Sequence, residues 1–164
     1  MPSRQDDADR LFGLLDAEGA HPALLENEAG KYSDDVKDDV VARIGKLPSP
    51  SARLLARLPL IRTGKNTPDI VAIYAANLAG ADPASRRVSL YELQALGHPA
   101  LRSFALAALK DTNDQVLFAA CMILLPEVKQ DPTVAAALRD VCSQHKGQTG
   151  FHATVSLLES HRLC

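Results

Sequence analysis

Three prolines, Pro68, Pro99 and Pro132, stand 31 and 33 residues apart, and each introduces apolar residues recurring at helical spacing. The middle stretch, HPALRSFALAALKDTNDQVLFAACMILLPEV (98–128), shows the layout most fully. Pro99 suits a first helical turn, because the amide hydrogen it lacks would have no partner there. Leu101, Phe104, Ala105, Ala108 and Leu109 then define one apolar face. The run KDTND interrupts, with Asp and Asn able to cap a following helix through side-chain oxygens. Val116, Ala119, Ala120, Ile123 and Leu124 form a second apolar face, and Pro126 ends or kinks that helix.

The same layout precedes and follows. Upstream, Pro68 leads to Ile70, Ile73, Tyr74 and Leu78; a turn at GADPAS leads to Val88, Tyr91, Leu93 and Leu96. Downstream, Pro132 leads to Val134, Leu138 and Val141, and QHKGQTG turns the chain toward Val155, Leu157 and Leu158. A weaker copy has Val36, Val40 and Ile44, then Leu54, Leu55 and Leu58, its second helix cut short by Pro59. Two helices repeated at a period in the low thirties mark an α-solenoid, whose units bury their apolar faces by stacking. The alternative is a non-repetitive helical bundle with helices of even length.

With PALRSFALAALKD as an Ala-rich first helix, DTND as an Asp-bearing turn and QVLFAACMILL opening on a Val, the chain resembles the HEAT-repeat family, especially its short bacterial members. The resemblance spans roughly residues 34–162 and is strongest over 98–128. It departs from the family pattern where an Arg usually follows that Val and Leu117 stands instead. It implies an all-α fold, a short right-handed α-solenoid of about four helix–turn–helix units. Tetratricopeptide and armadillo units compete, although the tetratricopeptide Trp and Gly–Tyr positions are missing.

Residues 4–18 form an amphipathic helix with Leu11, Phe12, Leu14 and Leu15, acids falling in the first turn where the helix dipole favours them. A looser connector follows, with a further helical turn around Ala23 to Glu28. Residues 1–33 thus read as an acidic cap and connector, and 34–164 as the repeats, in one domain. Charge is uneven: residues 1–39 carry −7, residues 40–68 carry +6, and the whole chain carries −2. The two blocks either neutralise each other or leave the basic one to a partner.

Composition excludes several classes. A 46% hydrophobic and 23% charged chain has the core-forming content that disordered chains lack. The apolar run ending at Leu125 is far short of the roughly 20 residues that span a bilayer. MPSRQDDADR lacks the hydrophobic centre of a signal peptide, so a cytoplasmic location is expected. Cys121, Cys142 and Cys164 make an odd count, which fits a reduced compartment better than a disulfide framework.

Chemistry is sparse. No GxGxxG, GxxxxGK, GxSxG or HExxH is present. HEAT-repeat hydroxylases hold two irons with His–Glu pairs, and no His–Glu dipeptide occurs here. Cys142 with His145, and His161 with Cys164, are pairs three residues apart with His152 between them, a thiolate–imidazole set that zinc would accept. Set against that, Cys142 also suits a core and Cys164 ends the chain. Cys121 reads as core. His21 and His98, each before a proline, read as cap or turn residues rather than acid–base groups. No catalytic residue, metal site or cofactor is therefore assigned.

The basic block is the remaining feature. Arg53 and Arg57 lie one helical turn apart, away from Leu54, Leu55 and Leu58; Arg62 and Lys65 continue past Pro59, and Arg86 and Arg87 open a later helix. Second helices line the concave face of HEAT-type solenoids, so the resemblance implies an arginine stripe for an acidic protein partner through Arg53, Arg57, Arg62, Arg86 and Arg87. A solvated face is the competing reading. A nucleic-acid backbone is disfavoured by the net acidity and by the lack of stacking aromatics nearby. The expected function is a non-enzymatic protein–protein interaction module: an adaptor, assembly chaperone or inhibitor, with a homodimer possible. Phycobilin lyase subunits and alkylpurine DNA glycosylases, also HEAT-repeat proteins, keep a cofactor-handling or enzymatic alternative open, and the missing Trp counts against the glycosylase.

Overall fold

Periodicity of 3.6, frequent cap residues and few β-branched runs dictate helices, and helices are what form. The computed structural model describes residues 2–61 and 67–164; among these there are ten α-helices, two short 3-10 turns and no strand. The chain divides into two compact units, Met1–Ser89 and Leu90–Cys164, with the division falling inside a helix.

The first unit holds α1 (Arg4–Asp16), α2 (Pro22–Ala29), α3 (Asp34–Gly45), α4 (Ala52–Arg57), α5 (Thr67–Asn77) and the start of α6 (Pro83–Ala95). Local caps set the starts. Ser3 and Asp6 form a reciprocal capping box, while Ser33 and Ser51 cap α3 and α4. Asp82 accepts the Ser85 amide at 2.9 Å and so starts α6. Pro59 stops α4 and diverts the chain into a 3-10 turn, Leu58–Ile61. α1 packs on α2, α3 and α4, and α3 packs on α5. Ala8, Leu11, Leu15, Val40, Ile44, Leu55, Ile70 and Tyr74 form the buried interior. Tyr74 is fully buried and donates its hydroxyl to the Leu55 carbonyl at 3.0 Å. Gly45 brings α3 close to α5: a Cβ there would lie 3.3 Å from Ile73.

The second unit holds the end of α6, then α7 (Leu101–Ala108), α8 (Asp114–Leu124), α9 (Pro132–His145) and α10 (His152–Ser160). α7 begins two residues after Pro99, while Pro132 is the first residue of α9. Asn113 caps α8, Asp131 caps α9, and Pro126 turns the end of α8 into a 3-10 turn, Leu125–Glu127. α8 is the central element, packed on α7 and α10, with α10 also on α9. No side chain of α10's own N-cap residue, Phe151, caps it. Asp114 of α8 does so instead, accepting the Ala153 and Thr154 amides at 3.2 Å each, while Thr154 donates its hydroxyl to the Asp114 carbonyl.

The structure corrects the reading of the cysteines. Cys142 and Cys164 are joined in a disulfide with Cα atoms 5.5 Å apart, leaving Cys121 as the single free thiol. The odd count is thus one bonded pair and one buried residue, and it no longer argues for a reduced compartment. Among the described residues no helix is long and apolar enough to cross a membrane.

Candidate functional site

The arginines of the basic block have internal work. Arg57 of α4 donates to the carbonyls of Leu15 at 2.5 Å, Ala17 at 2.7 Å and Ala20 at 3.3 Å. A guanidinium at the carboxyl end of α1 meets orphaned carbonyls and the negative end of the helix dipole together. Arg53 lies 3.5 Å from Glu18 and 3.9 Å from Asp16. Arg86 donates to the Gly80 and Ala81 carbonyls at 2.9 and 3.0 Å, closing the turn after α5. Arg87 is half-buried and has an interaction within the chain. Arg62 and Lys65 lie outside the described residues.

The acidic cap answers the basic block directly. Arg43 pairs with Asp9 at 2.6 Å and stacks 4.2 Å over the Phe12 ring; within the acidic segment itself, Arg4 forks Asp39. Hydrogen bonding from Arg4 holds the Asp39 carboxyl below its ordinary value. Beside these pairs an open groove of about 440 Å³ runs between α1 and α3. Ala8 and Leu47 line its apolar part, with Gln5, Asp39, Arg43 and Lys46 as its polar part. Its charges are mixed, and two of its charged residues are already paired.

The cysteine–histidine set is not a metal centre here. The disulfide consumes both thiolates. His145 stacks on Phe151 with ring centroids 4.0 Å apart, and the His161 ring sits 2.9 Å from the Leu157 carbonyl. Among the described residues no group of three or more His, Cys, Asp or Glu is placed to hold a metal ion. Cys121 is fully buried, and burial pushes its thiol up to about 12, which leaves it a core residue with no nucleophilic character. His21 caps α2, its Nδ1 accepting the Ala23 amide, and His98 is a turn residue before α7, its Nδ1 accepting the Ala100 amide.

A different surface stands out on the second unit. α8 buries Val116, Leu117, Ala119, Ala120, Cys121, Ile123 and Leu124. Its opposite side carries Phe118 and Met122, four residues apart at positions a soluble helix normally makes polar, and Leu125 and Pro126 of the 3-10 turn extend the strip. Met122 is 44% exposed, Pro126 is exposed, and Phe118 and Leu125 are half-buried. Exposed Gln115 and Lys129 bound the strip at its two ends. A signal for it is present in the sequence: VLFAACMILL is apolar all round, so a helix covered on one side must show apolar residues on the other. Against known proteins, the chain matches no protein-family model, no curated protein and no solved structure.

Proposed function

We propose that this chain is a non-enzymatic protein–protein interaction module, a short HEAT-like α-solenoid acting as an adaptor, assembly chaperone or inhibitor, and that a partner protein docks on α8. The observation that carries the reading is the apolar outer strip of Phe118, Met122, Leu125 and Pro126. Single exposed apolar residues need no explanation, but a row along one helix face costs solubility and suits an amphipathic partner. Methionine at its centre adapts to varied surfaces. The repeat reading is supported by the packing of first helix on first helix, α3 on α5, in one unit and second on second, α8 on α10, in the other. An acidic partner docking through Arg53 would have to displace Asp16 and Glu18, which makes the arginines a secondary contact.

The test is co-purification with wild type, Met122→Glu and Leu24→Glu as baits, each first shown to melt cooperatively. Leu24 is 65% exposed and lies on α2 of the first unit, so it controls for the loss of any surface apolar side chain. A protein retained by wild type and Leu24→Glu and lost by Met122→Glu supports the reading. Equal retention by all three sinks it. A cytoplasmic location is compatible with this proposal where the Cys142–Cys164 bond can open and close.

A further inference from the structure

Residues 161–164 are held by more than the end of α10. α10 closes at Ser160, after which the Arg162 amide donates to the Glu159 carbonyl and the Leu163 amide to the Leu158 carbonyl, both at 3.0 Å. These are the two bonds of a Schellman turn, whose reversing residue takes a left-handed conformation and is usually glycine. Here it is Arg162, at φ 58°. A Cβ in that region crowds the following carbonyl, so the turn is strained. Two things hold it closed. Leu163 is buried to 3% exposure, and Cys164 is bonded to Cys142, itself 2% exposed on α9. Cys164 is exposed.

We propose that residues 161–164 form a redox-controlled latch, closed by the Cys142–Cys164 bond and sprung by Arg162, which releases Leu163 from the second unit when the bond is reduced. The burial difference sets the route. A small-molecule thiolate attacks the sulfur of Cys164, the more exposed of the two residues, and forms a mixed disulfide with it, while the Cys142 sulfur leaves with the electron pair and takes up a proton. A second thiolate then attacks the outer sulfur of that mixed disulfide, releasing Cys164 as a thiolate that is protonated in turn. Two thiols have become one disulfide, and two electrons have passed to the protein. Closure is the reverse, with a disulfide of the same class as oxidant. Cys121 takes no part, being enclosed in the core of α8. Once the bond is open, residues 162–164 have only Leu163 burial and the two turn hydrogen bonds to set against the strain at Arg162.

The test uses the full chain, oxidised with glutathione disulfide or reduced with a phosphine. Alkylation in denaturant counts the free thiols, and amide hydrogen exchange follows Leu163 and α8. The latch predicts one free thiol in the oxidised protein and three in the reduced. It also predicts exchange at Leu163 faster by about tenfold or more on reduction, with α8 amides unchanged, the mark of local opening. Three free thiols after oxidation would overturn the bond. One free thiol with identical Leu163 exchange in both states would make it a fixed staple. α8 exchanging together with Leu163 on reduction would mean global loosening, and again no latch. Arg162→Gly separates spring from bond: in the reduced state it should return Leu163 toward its oxidised protection, and an unchanged rate would remove Arg162 from the device.

Discussion

The two units solve the same problem, fixing short helices, by different means. In the first, α1 buries only Ala8, Leu11 and Leu15 of its thirteen residues, and polar contacts over long sequence separations complete its placement: Arg4 with Asp39, Arg43 with Asp9, and Arg57 on the carbonyls at its end. In the second, α8 buries seven of its eleven residues, and a covalent bond ties the chain end to α9. Arg102 of α7 does bridge Glu127 of the 3-10 turn and Asp131, the cap of α9, but this bridge is itself exposed. Exposed ion pairs orient and contribute little to stability, whereas apolar burial stabilises and orients less selectively. The first unit is therefore expected to respond to salt and pH, and the second to cavities and reductant.

The largest expected effect comes from Leu124→Ala in the second unit. Leu124 is fully buried, and its truncation should cost about 3 kcal/mol as lost transfer energy plus a cavity, read as a fall in urea midpoint with the slope kept. A cost under half of that would show that the second unit collapses around the void and is held mainly by its disulfide. Arg57→Ala should come next, at about 2 kcal/mol, because three backbone carbonyls lose a charged donor together. Arg57→Lys should recover only part of it, since an ammonium cannot span the three acceptors. Full recovery by lysine would make the contact one of charge alone.

The smallest effect is expected at Arg4→Ala. Its loss should move the midpoint barely, and not at all in about 1 M salt, where screening is nearly complete. The pH dependence has a fixed sign. Asp39 is held below its ordinary value of 3.8 by Arg4, so the folded state binds fewer protons than the unfolded one. The pair's contribution is present above 3.8 and is lost as pH falls through the lower folded value. Wild type and Arg4→Ala should thus converge in stability at acid pH, and a difference that persists there would assign Arg4 a packing role.

Much of the helix layout was legible because its signals are local. Proline spacing, apolar periodicity and Asp or Asn caps act within a turn or two, and they correctly mark α4 ending before Pro59, α8 ending before Pro126 and α9 beginning at Pro132. The near-balance of the −7 and +6 blocks left mutual neutralisation as one of two readings, and Arg43 with Asp9 and Arg53 with Asp16 and Glu18 are pairs of that kind. The site was less legible. Arg53 and Arg57 read as a free basic stripe because nothing nearby in sequence shows that Arg57 reaches back across about forty residues to the end of α1. Cys142 and Cys164 read as reduced from the odd count for the same reason: the partner that matters is 22 residues distant and leaves no local mark.

What the sequence by itself determined is an all-helical chain with an acidic first segment followed by a basic one. Periodicity and charge are properties of neighbours along the chain, and they survive without any tertiary contact. Only the tertiary structure decided which groups remain free to act. It turned Arg57 and Asp114 into caps for helices remote from them in sequence, closed Cys142 on Cys164, and left Phe118 and Met122 on the outer side of α8. Those outcomes depend on which helix faces bury which, since a face becomes surface only once another has been covered.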